Sequence, residues 1–322
     1  MASPNSTFTE MVTTTLRHHK KTFADNVSKH NALLRWMKDN GNIKTEAAGG
    51  YEIVLPLDYQ ENSTYQRYSG YDLHNIGASD VLSAAKYDWM QAAIYVTSNG
   101  REIKMNASEE RLINLVKSRV KNAMSTASNN MSIDIYSDGA LSNQIGGLGA
   151  LVTSDGTGTV GGINSTTYTF WKNKFKEVSG TGATFATLKA AMNEMLTSTT
   201  RGNDRPDLIV MTHDFYNIYI GGLQDLQRYT SSRAANLGFA GAVEFQGIPV
   251  IFDDNTNFGT TSEIAYMLNT KHLYLMEHPE ARWTEEDEKI PVNQDAVVVP
   301  MYWMGNLCTD WRAGQAKIID AA

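Results

Sequence analysis

The apolar positions of the chain change period along its length. Over residues 7–40 they recur at helical spacing, first as Phe8, Met11, Val12 and Leu16, then as Phe23, Val27, Leu33, Leu34, Trp36 and Met37. Thr7 with Glu10 makes a capping-box start, and Gly41 supplies a stop. From Glu46 the period falls to two: Tyr51, Ile53 and Leu55 alternate up to Pro56 and predict a strand. The stretch from Asp58 to Tyr71 is polar, rich in tyrosine and poor in the Leu, Ile and Val that fill cores. Residues 88–105 turn extended again. There Ser98-Asn99-Gly100 predicts a hairpin between the run of Trp89, Ala93 and Tyr95 and the run of Ile103 and Met105. Two strand runs therefore bracket a long excursion, which a compact domain rarely keeps without a use for it.

Residues 107–128 carry the clearest helical stripe: Leu112, Leu115, Val116, Val120, Ala123, Met124 and Ala127, with Arg111, Lys117 and Lys121 opposite. Asp138 to Gly162 is dense in glycine but interleaved with Leu148, Leu151 and Val152, so it predicts loops attached to structure. A short aromatic run follows, Tyr168 to Phe175. Helices are predicted over 184–199 and 214–229, and strands over 208–211, 249–252, 297–303 and 314–319. Helices alternating with short apolar strands from 184 to 276 indicate an α+β or α/β lobe. The chain shows no internal repeat.

Composition narrows the class without naming an activity. With 322 residues, 42% hydrophobic and 20% charged, the chain can bury a sizeable core, which excludes wholesale disorder. Its one cysteine, Cys308, allows no intrachain disulfide and fits a reducing compartment. No apolar run approaches membrane-span length, and the opening MASPNSTFTEM predicts no signal peptide. A soluble, cytosolic chain is expected. The net charge of −7 argues against a basic DNA-binding face. The basic run Arg17-His18-His19-Lys20-Lys21 reads as a solvated helix face, with a partner-binding arm or a nucleic-acid contact as the sharper alternatives.

Conventional reaction chemistry is sparse. Cys308 has no histidine near it in sequence and reads as a buried, inert thiol. Residues 156–161 match G-x-G-x-x-G, but Asn164-Ser165-Thr166-Thr167 follows and favours a turn and strand over the helix a pyrophosphate needs. Asp253-Asp254 at a strand end would point to opposite faces and reads as a turn. His213-Asp214 follows a strand, where α/β enzymes place catalytic groups, yet the same residues suit a helix N-cap. No cofactor or metal site is expected.

The order of elements resembles the tailed-bacteriophage major capsid proteins of the Hong Kong 97 type. The pattern is a helical arm, an extended loop, one long amphipathic helix, a glycine-studded lobe and returning strands. Local support comes from Phe170-Trp171-Lys172-Asn173 after a Gly-rich stretch and from Phe245-Gln246-Gly247-Ile248-Pro249-Val250 leading to Asp253. The resemblance implies an α+β capsid fold with an N-terminal arm over 1–48 and an extended E-loop over 49–91. The strands and spine helix of a peripheral P-domain would occupy 92–130. An axial A-domain would follow over 131–290, and returning C-terminal strands over 291–322.

It further implies a structural protein, not an enzyme, that forms the pentamers and hexamers of an icosahedral head enclosing double-stranded DNA without sequence-specific binding. Such a protein is assembled in the bacterial cytoplasm with a portal protein, and a decoration or cement protein can be added. It has no membrane partner. Relatives that carry an N-terminal scaffolding segment use about a hundred residues that this chain does not offer, so a separate scaffolding protein is expected. Between Glu52 and Lys86 there is no lysine, which speaks against the covalent cross-link some relatives form. Tyr59, Tyr65, Tyr68 and Tyr71, with Arg67, are the expected anchors of the loop on a neighbouring subunit. The alternatives are a bacterial encapsulin-type nanocompartment shell, a phage tail or adhesion component, and a cytosolic α/β enzyme using His213 and Asp214.

Overall fold

The computed structural model describes residues 31–45, 50–101, 109–178, 182–224, 243–253, 263–285, 289–291 and 293–320. Residues 7–30 with their basic run, the segment 102–108, the second half of the helix predicted over 214–229 and the acidic residues 286–288 lie outside this set.

A six-stranded mixed sheet forms one lobe, in the order β7 (Lys174–Glu177), β14 (Ala316–Asp320), β11 (Glu263–Leu268), β8 (Leu208–Met211), β10 (Ile248–Phe252), β9 (Val243–Phe245). Its centre is β8, whose unbroken apolar run is buried at every position, as a strand covered on both faces requires. β8 runs parallel to β10 and antiparallel to β11. After the one-turn helix α3 (Leu148–Leu151), two longer helices pack on this sheet, α4 (Phe185–Thr199) and α5 (His213–Gln224). α4 begins where predicted because Thr184 and Thr187 form a reciprocal capping box, and it buries Leu188, Met192 and Met195.

The second sheet has the order β1 (Ile43–Thr45), β12 (Leu273–Glu285), β13 (Ala296–Thr309), β4 (Met90–Asn99). Of the hairpin expected at Asn99-Gly100, the second run, with Ile103 and Met105, lies outside the described residues. β4 pairs antiparallel with β13, from Asn99 opposite Ala296 to Met90 opposite Gly305, and the chain enters a helical turn at Gly100–Arg101. At Gly100 itself the backbone is helical where a two-residue hairpin turn was expected. α2 (Glu109–Ile135) crosses one face of this sheet, where Ala123 is buried with Val96 and Met301. It runs seven residues past the predicted end at 128, because Met131 and Ile135 continue the buried stripe into the main core. β12 is irregular near Trp283, a bulky residue held at φ 54° and stacked on Trp303 at 6.4 Å. The Trp303 indole N–H donates to Glu277 at 2.7 Å. β12 thus belongs with β4 and β13, so the segment 131–290 contributes to both sheets.

Besides the long passage from β4 to β7, the chain crosses between the sheets in two short segments, at 269–272 and at 310–315, and these two are zipped together. Gln315 accepts from the Asn269 N–H at 2.9 Å and donates back to its carbonyl at 3.0 Å, with both residues fully buried. His272 meets Asp310 at 2.7 Å, and Thr309 donates its hydroxyl to the His272 carbonyl at 2.7 Å. Asp253, expected to serve a turn, is instead buried. It accepts from the Tyr136 hydroxyl at 2.8 Å and the Leu33 N–H at 3.4 Å, and so ties the end of α2 and the start of α1 (Ala32–Asp39) to β10.

Candidate inter-subunit surface

β2 (Glu52–Asp58) and β3 (Leu82–Asp88) pair only with each other, as a ribbon from Glu52 opposite Asp88 to Asp58 opposite Leu82. The predicted strand does not stop at Pro56. The Tyr59 N–H closes onto the Val81 carbonyl at 3.0 Å, and the Lys86 N–H leaves the ribbon for the Gly161 carbonyl at 2.9 Å. Odd positions of β2 therefore face β3, and Pro56 falls on an outward position where a missing N–H costs nothing.

The root of the ribbon is fixed in the core. Ile53, Ala85 and Tyr87 are buried there. The Tyr87 hydroxyl donates to the Thr309 carbonyl at 2.8 Å and accepts from its N–H at 3.3 Å, and burial raises its ionisation well above the ordinary tyrosine range. Gly161 sits at φ 59°, and a Cβ on it would come within 3.0 Å of Ala85 and 3.1 Å of the Tyr87 ring. Only glycine fits this approach. The G-x-G-x-x-G stretch thus turns between two short strands, Thr159–Val160 and Ile163–Asn164, beside the ribbon. Arg312 holds the same loop, donating to the carbonyls of Leu151 (2.6 Å) and Thr157 (3.1 Å) and to the Thr153 hydroxyl (3.0 Å).

Beyond the ribbon, residues 59–81 form no apolar core of their own. Polar side chains shape the loop. Asn62 accepts from the Thr64 N–H at 2.9 Å, Gln66 accepts from the Asn75 N–H at 3.1 Å and donates to the Leu73 carbonyl at 3.1 Å, and Asp72 accepts from the Ser69 N–H at 2.8 Å. Its apolar groups face outward: Tyr65 is 81% exposed, Tyr68 66%, Tyr71 105%, Leu73 96% and Ile76 92%. Arg67 is exposed among them. Tyr68 leans edge-on against His74, with centroids 4.7 Å apart. Of the predicted anchors, Tyr59 differs from the rest: it is half-buried and lies 6.0 Å from Phe170 of its own chain. Leu73 and Ile76 were missed because two isolated aliphatic residues carry no period. Five large apolar side chains exposed within twelve residues of one loop mark it as an interaction surface.

Elsewhere the residues considered for chemistry are dispersed. His213 is exposed, with Nδ1 3.0 Å from the Asn217 amide on the next turn of α5, and Asp214 lies in the helix's first turn. Cys308 is fully buried, and burial raises its thiol far above the usual range. Among the described residues, no group of three or more His, Cys, Asp or Glu is placed to hold a metal ion, and no helix is long and apolar enough to cross a membrane.

The chain matches no protein-family model and no curated protein. Its fold matches solved shells over nearly its whole length. The capsid subunit of cyanophage A-1(L) is similar with a TM-score of 0.68 at 16% identity, covering 94% of this chain and 96% of that one. The capsid of Myoviridae phage XM1 gives 0.55 at 16% identity, covering 95% and 97%. The SrpI encapsulin of Synechococcus elongatus gives 0.61 at 8% identity, covering 97% and 95%. The chain thus has the Hong Kong 97-type capsid fold.

Proposed function

We propose that this chain is the major capsid protein of a tailed bacteriophage and builds the pentamers and hexamers of an icosahedral head around double-stranded DNA. One observation carries the proposal: a shell-subunit fold presents a rooted ribbon whose tip, residues 59–81, exposes Tyr65, Tyr68, Tyr71, Leu73 and Ile76 to solvent. The ring contacts of such a shell are heterologous, one patch meeting a different patch, and an outreaching loop adds contact area without enlarging the core. Tyr65, Tyr68 and Tyr71, with Arg67 at their centre, would lie on a neighbouring subunit, and Tyr59 would brace the loop from its own side. In this reading residues 1–48 act as an arm, 49–91 as the E-loop and α2 as the spine. The role is structural, not enzymatic, and the site of action is the virion. Scaffolding, portal and decoration proteins are the expected partners.

The test is assembly. The Tyr65→Ala/Tyr68→Ala/Tyr71→Ala chain should keep the melting temperature of the unmodified subunit, since all three side chains are exposed, and should lose closed particles in electron microscopy and sedimentation. Particles at unmodified yield would refute the proposal. The likeness to an encapsulin favours a second reading, a nanocompartment shell. Particle contents decide between them: packaged DNA for a phage head, cargo protein for a compartment.

A further inference from the structure

We propose that the outer edge of β4 is the seat of the loop, so that a strand from residues 59–81 of a second copy adds to the four-stranded sheet there; this rests on the shell reading above. Among the described residues, β4 pairs with β13 on one side only. The Gly100 N–H reaches the Asp295 carbonyl at 2.9 Å, which puts even-numbered residues of β4 in the bonded pairs with β13. The odd-numbered residues Gln91, Ala93, Tyr95 and Thr97 then point their backbone groups away from β13. Two observations agree. Tyr95 stands opposite Pro300, which has no N–H to offer, and the Thr97 carbonyl is taken from outside the sheet by Arg119 at 2.8 Å. Gln91, Ala93 and Tyr95 are left with outward donors and acceptors and with exposed side chains.

Sheet edges are ordinarily guarded, because an open edge is a template for another strand. The other edges here follow that rule. β7 carries Lys174 and Lys176, while β1 and β9 are three residues each. β4 is ten residues long, with no charge and no proline. An unguarded edge of that length calls for an extended partner segment, and the chain itself carries one in 59–81. That segment cannot serve its own β4. β3 runs from the loop back to the body, and Trp89 joins it to β4, so a seven-residue ribbon holds the loop about 23 Å beyond the near end of that strand. A neighbour's edge is free of this constraint, and one donor loop and one acceptor edge per copy give the one-to-one, heterologous contact that propagates around a ring. Strand addition would supply backbone pairing, and the tyrosines would supply side-chain contact.

Two experiments test this, with shells of the unmodified chain as the control. Ala93→Pro removes an outward N–H that the β13 ladder does not use. The variant should fold with an unchanged melting temperature and lose at least tenfold in particle yield; yield equal to the unmodified chain overturns the proposal. Independently of how that variant folds, one chain carrying Ala93→Cys is co-assembled with another carrying Tyr65→Cys, Tyr68→Cys or Tyr71→Cys. Cys308 is fully buried, so disulfides would come from the introduced pair. A two-chain disulfide band from particles in at least one pairing is expected. Normal particles with no band in any pairing overturn the seat at β4 and leave the shell reading standing. An unmodified chain that forms no particles overturns the shell reading, and the seat with it.

Discussion

Alkaline pH should unfold this subunit through its buried tyrosines. Tyr87, Tyr136 and Tyr266 are at most 7% exposed, and burial raises the ionisation of each above the ordinary value of 10.0. For Tyr136 the neighbouring Asp253 carboxylate pushes the same way. Above pH 10 the unfolded chain releases these protons and the folded chain keeps them, so the stability they contribute is fully present below pH 10 and falls as pH rises. One unit above the ordinary value, each group removes about 1.4 kcal/mol, and the three together about 4 kcal/mol. Tyr219 and Tyr274, both pushed up to about 12 by burial, act in the same sense. Lys317 and Arg312, both lowered by desolvation, act in the opposite sense. A loss of this size is a large part of a typical folding stability of about 5–15 kcal/mol. The assay is phenolate absorbance recorded with circular dichroism through an alkaline titration. Part of the absorbance of the chain's 15 tyrosines should appear only as the dichroism collapses. Tyr266→Phe should move that collapse to higher pH. All tyrosines titrating in one step near the ordinary value with the dichroism intact would refute the reasoning.

Two further substitutions probe the root of the ribbon. Gly161→Ala forces a left-handed residue against Ala85 and Tyr87; it should destabilise by about 1–3 kcal/mol in denaturant melts and speed proteolysis within 51–90. Arg312→Lys keeps the charge but not the fork that reaches Leu151, Thr153 and Thr157. A loss of about 2–4 kcal/mol at unchanged denaturant slope is expected.

Elements specified by their own neighbours were legible in the sequence. The helix at Phe185–Thr199, with Thr184 before it, carries its cap and its stripe within sixteen residues, and β8 declares its burial in four. Elements specified from afar were not. β4 takes its partner from some two hundred residues away, which Asn99-Gly100 could not reveal. Asp253-Asp254 looked like a turn because Tyr136 and Leu33, which use Asp253, lie 117 and 220 positions distant. α2 outran its prediction because Ser125, Thr126, Ser128, Asn129 and Asn130 dilute the stripe that Met131 and Ile135 resume. Within the loop, tyrosines of one type at similar spacing were indistinguishable until Phe170 picked out Tyr59.

The paired crossings give the molecule a mechanical character. Tension on the ribbon travels down β3 to Tyr87, whose hydroxyl is fastened to Thr309, beside the contact of His272 with Asp310. A pull at the tip is therefore delivered to the seam where the two lobes are stitched, not to a loose strap. With a core shared by both sheets behind that seam, the lobes would resist swivelling against each other, and a load on one arm would be borne by the whole body of its subunit.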